Sequence, residues 1–372
     1  MKLIYFVTED WFFCSHFLDR AVAAKNAGYE VSVLTRVNKH AQIILDQGIN
    51  LIPLVIDRSK INPFNEIKLI KKLVTLYRQE RPQIVHQVAL KPILYGSLAA
   101  RIAGVPYIVN APVGLGYVFS SKQLKARLLK PLILLAYRFL LNPINSIAIF
   151  ENPDDRAFFA NKGIIKLEHT RLIRGAGVNM QQFVPTKKPD GLPIVILASR
   201  MLWDKGVGEF VEAAKIINKN TINARFVLVG APDTQNPESI GENQLIAWQN
   251  AGCIEWWGHQ DDMPSVFSQA HIICLPSYAE GLPRVLIEAA ASGLPIVTTN
   301  IPGCREIVHN AENGYLIPPK SIDSLVNTLN LLISNSGLRL EMGENGRNIA
   351  INGYSTEQVN RETLAIYEQL HA

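Results

Sequence analysis

Cysteine is scarce in this chain. Among 372 residues there are four, Cys14, Cys253, Cys274 and Cys304, and no two form a Cys-x-x-Cys pair or a metal-ligand spacing. That excludes a disulfide scaffold and a zinc ribbon, and the four read as reduced thiols of a cytosolic protein. The eight histidines contain no His-x-His and no His-Glu-x-x-His, so the sequence predicts no metal site. No Asp-x-Asp occurs, and nothing asks for a divalent metal or another cofactor. No uninterrupted apolar run reaches the roughly 18 residues that a spanning helix needs. The opening Met1-Lys-Leu-Ile-Tyr-Phe-Val7 is too short for a secretory signal and is broken by Thr8-Glu-Asp10, so it reads as a first buried strand. Short repeats and low-complexity tracts are also missing.

What is present is a globular composition, 48% apolar and 19% charged. The length exceeds one ordinary core and predicts two domains. The net charge of +5 conceals an asymmetry. Residues 1–183 carry 24 Lys and Arg against 12 Asp and Glu, a balance of +12, and residues 184–372 carry 13 against 20, a balance of −7. A basic half suits an anionic partner, nucleic acid or an anionic membrane, or is simply a solvated face.

Strands alternate with helices along the first half. Strands are predicted at Leu3–Val7, Glu30–Leu34, Leu51–Ile56, Ile84–His86 and Pro106–Asn110. Helices are predicted at Ser15–Ala27, Ala41–Gln47, Asn65–Gln79 and Ile93–Ala103. A second series of strands begins at Pro193 and runs through Arg225–Gly230, Ile254–Gly258, His271–Pro276 and Pro295–Thr299. Such alternation predicts parallel sheets covered on both faces, with ligands beyond the carboxyl ends of the strands. The linker-like Val184-Pro-Thr-Lys-Lys-Pro-Asp-Gly191 places the boundary after residue 183, and a last helix is expected over about Thr356–Leu370.

The stretch Pro276-Ser-Tyr-Ala-Glu280-Gly-Leu-Pro-Arg-Val-Leu-Ile-Glu288-Ala-Ala-Ala-Ser-Gly293 organises the second half. It reads as strand end, turn and short helix, starting near Pro283 and closing at Ser292-Gly293. Glu280 precedes the helix and Glu288 lies inside it, on the order of 10 Å apart along the axis. The amino end of a helix between two carboxylates suits a ligand with phosphate in the middle and hydroxyls at both ends. Ser199-Arg200-Met-Leu-Trp-Asp204-Lys205-Gly206 follows the first strand of the second series. Arg200 and Lys205 suit a diphosphate, although Arg200 and Asp204 could also form an ordinary surface pair.

Together these strings resemble the donor-site motifs of the retaining GT-B glycosyltransferases of family GT4. The resemblance implies an α/β fold, two Rossmann-like domains facing across a cleft. The N-terminal acceptor and membrane-facing domain would be 1–183, the donor-binding domain 184–355, and 356–372 a helix returning to the first. It implies that Arg200 and Lys205 neutralise the leaving nucleotide diphosphate and that Glu280 holds donor-sugar hydroxyls. Glu288 would hold the ribose, and Gly281, Leu282 and Pro283 would border sugar and phosphate. Gly258 and His259, in the turn at Trp257, would lie along the base. Trp256 and Trp257 could stack on it or belong to the core, the commoner case. Gly303, in Pro302-Gly-Cys-Arg305-Glu306, belongs to a further element near the donor. Members of this fold usually work without a metal.

On the acceptor side, many family members have a Gly-Gly loop after the first strand, where this chain has Thr8-Glu-Asp-Trp-Phe-Phe-Cys-Ser15-His16. Gly114-Leu-Gly116, Asn62-Pro63-Phe64 and the Arg200–Gly206 string resemble a narrower set, the PglA-like transferases. These add N-acetylhexosamines to polyprenyl-diphosphate-linked sugars. The resemblance implies a UDP-sugar donor, such an acceptor and no nucleic acid. His16, Lys91 and His86 lie near strand ends expected to face the cleft, in functional or structural roles. Ser120–Leu141 starts basic, with Lys122, Lys125, Arg127 and Lys130, and continues apolar, with Pro131 expected to kink or divide it. It suits the surface of an anionic membrane or a partly buried domain helix. The expected place is the cytoplasm, peripheral at the inner face of the cell membrane. The rival readings are a soluble acceptor, a nucleotide-sugar epimerase, and a non-catalytic sugar-binding protein.

Overall fold

A computed structural model describes residues 1–55, 63–113, 124–219, 223–234 and 236–371. The chain divides into two compact units, one of 1–176 with 356–372 and the other of 177–355. The division precedes residue 183 because the segment after Ala176 packs with the second unit. Val178 N–H donates to Tyr354 O, and the Arg347 guanidinium donates to the carbonyls of Met180 and Phe183.

The first unit contains strands β1 (Lys2–Glu9), β2 (Glu30–Arg36), β3 (Asn50–Pro53), β4 (Ile84–Val88), β5 (Tyr107–Ala111), β6 (Ser146–Phe150) and β7 (Thr170–Leu172). They form one parallel sheet in the order β3-β2-β1-β4-β5-β6-β7. The β1, β4 and β6 runs are nearly all buried, as a sheet covered on both faces requires. The second unit contains β8 (Ile194–Ala198), β9 (Arg225–Val229), β10 (Glu255–Trp256), β11 (Ile272–Leu275), β12 (Ile296–Thr299) and β13 (Gly314–Ile317). These are also parallel, in the order β10-β9-β8-β11-β12-β13. Each order reverses direction once, between β1 and β4 in the first sheet and between β8 and β11 in the second. Doubly wound sheets bind ligands beyond such switch points.

Several local features differ from expectation. The helix predicted over Ser15–Ala27 is two helices, Asp10–His16 and Leu18–Asn26, broken at Phe17 with φ −128°. The first helix begins directly at the end of β1. Fully buried Asp10 accepts from the backbone N–H groups of Trp11 (2.7 Å), Asn38 (2.6 Å) and His40 (3.1 Å). Its carboxylate therefore takes up one N–H group of this helix and two of the segment that follows β2.

The helix Leu124–Leu140 runs continuously through Pro131, so of the two expectations, a kink or a division, the division does not occur. The proline removes one backbone bond, but burial of Tyr137, with Ile133 and Leu134 beside it, against β6 and the helix Pro153–Asn161 holds the element together. Its outer side carries Leu132 (64% exposed), Leu135 (53%) and Phe139 (65%). Arg101 Nη1 donates to Phe139 O at 2.7 Å and ties it to the helix Ser97–Ala103, where Leu98 and Ile102 are also exposed. No described helix is long and apolar enough to cross a membrane.

His86 does not face a cleft. It lies fully buried in mid-strand, its ring stacked on Tyr5 at 5.0 Å, with Nδ1 2.7 Å from the Tyr367 hydroxyl. Burial, then the nearby Arg20 charge, pushes its pKa down to about 3, so the ring is neutral. The Tyr367 hydroxyl also lies 2.7 Å from that of Tyr5, which fixes the helix Thr356–His371 on the first sheet.

Candidate functional site

The second switch point gathers the motif residues. Past β8 the chain turns through Ser199 and Arg200 and makes one short helical turn, Trp203–Lys205. Past β11 it runs through 276–283 into the helix Arg284–Ala291, with Pro283 at its N-cap and Gly293 at φ +66° just beyond its end. Lys205 Nζ and Glu280 Oε1 lie 2.6 Å apart, their side chains only 15% and 11% exposed. The two loops are also joined through their backbones, because Tyr278 N–H and Ser277 Oγ–H both donate to Asp204 O, at 2.8 and 3.2 Å.

Two glycines let these segments approach. Gly206 sits at φ +73°, and a Cβ there would lie 2.2 Å from Pro276 O. Gly303, at the start of the helix Pro302–Ile307, backs the other side of the loop, where a Cβ would meet Gly281 O at 2.2 Å and Glu280 O at 2.7 Å. Leu282 and Pro283 are buried and Gly281 half-buried. Thus Lys205, Glu280, Gly281 and Gly303 are brought together around one loop.

Arg200 pairs with Asp233, Nη1 to Oδ2 at 2.7 Å. Asp233 follows β9, the strand beside β8, so the pair spans neighbouring strand ends. Asp204 lies in the combined field of Lys205, Glu280 and Arg200. Burial raises its pKa while Lys205 opposes the shift. Sequence reasoning gave neither Asp233 nor Asp204 a place in this site. A signal for Asp233 existed in its position just after a strand. Tyr278 carries a further link, its hydroxyl donating to Glu209 Oε1.

Glu288 is buried inside the helix, and Arg284 Nε donates to its Oε1 at 2.8 Å. Burial raises its pKa and Arg284 opposes that. Gly258, at φ +67°, ends the β10 turn, and its carbonyl accepts from Gly230 N–H at 2.7 Å. His259 is exposed and 3.1 Å from Asp261. Trp256 and Trp257 are partly buried against the two cores of this unit, and Trp256 Nε1 donates to Gly230 O.

In the first unit, His16 stacks on Phe12 at 4.2 Å with its Nδ1 2.7 Å from Ser15 Oγ. Lys91 lies just past β4, paired with Glu66. Gly114, Gly116 and Lys122 lie outside the described residues, as do the side chains of Lys125 and Arg127.

Fixed cations beside a helix amino end, on tightly joined loops, are the equipment for stabilising a departing phosphate. Residues 179–349 match the family described as glycosyl transferases group 1, and residues 2–152 the family described as glycosyl transferase 4-like. A Campylobacter jejuni protein, the N,N'-diacetylbacillosaminyl-diphospho-undecaprenol alpha-1,3-N-acetylgalactosaminyltransferase, is 29% identical over 94% of this chain and 93% of its own. An Escherichia coli protein, the UDP-Gal:alpha-D-GlcNAc-diphosphoundecaprenol alpha-1,3-galactosyltransferase, is 28% identical over 78% of this chain and 76% of its own. The structure of Anabaena HepE in complex with UDP-glucose shares the fold with a TM-score of 0.78 at 18% identity, covering 99% of this chain and 100% of that one. The two doubly wound sheets are those of the GT-B fold, and the chain belongs to the group 1, GT4-like glycosyltransferases.

Proposed function

We propose that the protein is a retaining glycosyltransferase that moves a sugar, an N-acetylhexosamine, from UDP to a polyprenyl-diphosphate-linked glycan. The observation that carries this is the Lys205–Glu280 pair at the second switch point. The activities named for the two relatives support the lipid-linked acceptor, and that of the Escherichia coli protein the UDP donor.

In this reading the bond from the anomeric carbon to the diphosphate oxygen breaks while the acceptor oxygen bonds to the same face of that carbon. The acceptor proton passes to the departing phosphate. Lys205 has three N–H donors and gives one to Glu280, which leaves others for phosphate. Arg200, steadied by Asp233, adds a planar fork. Glu280 holds donor-sugar hydroxyls and Glu288 the ribose. Gly281, Leu282, Pro283 and Gly303 shape the sugar and phosphate site, and Gly258 and His259 border the base. His16, Gly114 and Gly116 lie on the acceptor side together with Lys91. The first domain docks, peripherally, on the anionic inner face of the cell membrane through its basic charge and the exposed Leu132, Leu135 and Phe139.

The test is incubation with a panel of UDP-sugars and a synthetic GlcNAc-diphospho-prenol. UDP should be released, and proton coupling constants of the product should show the donor's own anomeric configuration. An inverted linkage would overturn retention, and no UDP release from any UDP-sugar would overturn the donor class.

A further inference from the structure

The switch point of the first sheet carries a side-chain cluster that the donor chemistry does not use. At the end of β4 the chain reverses through Ala89, a non-glycine residue at φ +70°. It then enters a π-helical turn, Pro92–Gly96, before the helix Ser97–Ala103. The turn is tightly packed, since a Cβ on Gly96 would lie 2.2 Å from Gln87 Oε1 and 2.7 Å from the Phe6 ring. Left-handed non-glycine residues and π turns are costly, and both collect where side chains must be aimed for function.

Here the turn aims Lys91 and Tyr95 at Glu66, in the first turn of the helix Pro63–Glu80. Lys91 Nζ lies 3.3 Å from Glu66 Oε1, with the two side chains 15% and 14% exposed. The Tyr95 phenol is hydrogen-bonded to the same carboxylate, and burial followed by the Glu66 charge pushes its pKa up to about 12. An ion pair taken this far out of water is weak support for stability. Chemically the cluster offers a donor and an acceptor side by side, which matches a hydroxyl, itself both donor and acceptor. A diphosphate would meet the carboxylate as a like charge.

We propose that Glu66 and Tyr95, with Lys91, read a hydroxyl of the acceptor's terminal sugar and not its diphosphate. This rests on the transfer proposed above, and it adds a specificity residue, Glu66, and a positioning residue, Tyr95, to the acceptor side. The hydroxyl donates to Glu66 and accepts from Lys91, and Tyr95 holds the carboxylate in place.

The experiment compares Glu66→Gln and Tyr95→Phe with the unaltered chain, using GlcNAc-diphospho-prenol as acceptor and sugar-free prenyl diphosphate as competitive inhibitor. Loss of a charge-assisted hydroxyl contact should raise the acceptor KM about tenfold in Glu66→Gln, with kcat changed less than about twofold. Tyr95→Phe should move KM the same way by less. Inhibition by the sugar-free compound should stay within about twofold, the spread of a contact not made. Equal weakening of both compounds, an unchanged KM, or a kcat loss accompanied by a fallen Tm would overturn the proposal. Calorimetry with UDP on the unaltered chain reports separately on the donor reading. Absence of UDP binding would overturn the proposed function, whereas intact binding leaves the kinetic result to decide the acceptor cluster.

Discussion

Lys205 and Glu280 stand 75 positions apart in the chain and 2.6 Å apart in space. Their motifs were legible in the sequence because each combines a turn with a charge of the type a nucleotide-diphosphate sugar demands. The bond between them was not, because pairing across loops leaves no periodicity. Asp233 escaped for the same reason, and His86 was misplaced because Ile84–His86 showed only part of a strand that continues to Val88. In the proposed transfer the pair would give Lys205 two tasks, neutralising the leaving group and holding Glu280. Lys205→Ala should therefore lower kcat by at least about a hundredfold, the scale of one lost transition-state contact. Steady-state kinetics with donor in excess measure this, and near-native turnover would remove Lys205 from the chemistry.

Among the elements, β6, β7, β13 and the helices Ile322–Ser334 and Ser336–Gly353 went unread, but β1–β5 and β8–β12 were read, since apolar runs and periods persist over several residues. The interruptions were not. The break at Phe17, the π turn Pro92–Gly96 and the unbroken passage through Pro131 depend on tertiary packing rather than local pattern. The loop 276–283 shows how such packing acts on function. It is pressed between Gly206 on one side and Gly303 on the other, and both glycines meet backbone atoms that cannot swing away. Gly303→Ala should displace the Glu280–Gly281 carbonyls and weaken UDP binding by about tenfold or more, equivalent to at least about 1.4 kcal/mol. Calorimetry with UDP tests this, and unchanged affinity would show that the loop yields without consequence for the donor.

For the whole molecule the sequence revealed two parallel doubly wound units and a sharp division of charge. The basic balance of residues 1–183 coincides with an outward apolar row at Leu132, Leu135 and Phe139. Each Lys or Arg near an anionic bilayer contributes about 1 kcal/mol, and apolar side chains add shallow insertion. Liposome sedimentation should show binding that needs anionic lipid and weakens with salt. It should fall in a Leu132→Ser, Leu135→Ser, Phe139→Ser triple variant and in a variant with Lys122, Lys125, Arg127 and Lys130 changed to Ser. Equal binding to neutral vesicles, or no loss in either variant, would return this stretch to ordinary domain structure.

The fastening of Tyr5 by Tyr367 has a consequence for the order of events during synthesis. Tyr5 leaves the ribosome before residues 177–355, but the helix that covers its face comes after the whole of them. The second unit can therefore finish folding while the first still lacks Val359, Ile366 and Tyr367 from its core. At ordinary elongation rates that interval lasts on the order of tens of seconds, and it reverses the usual amino-first completion of domains. Through that interval one apolar sheet face of the nascent chain stays open to water, a natural point for a chaperone to hold it.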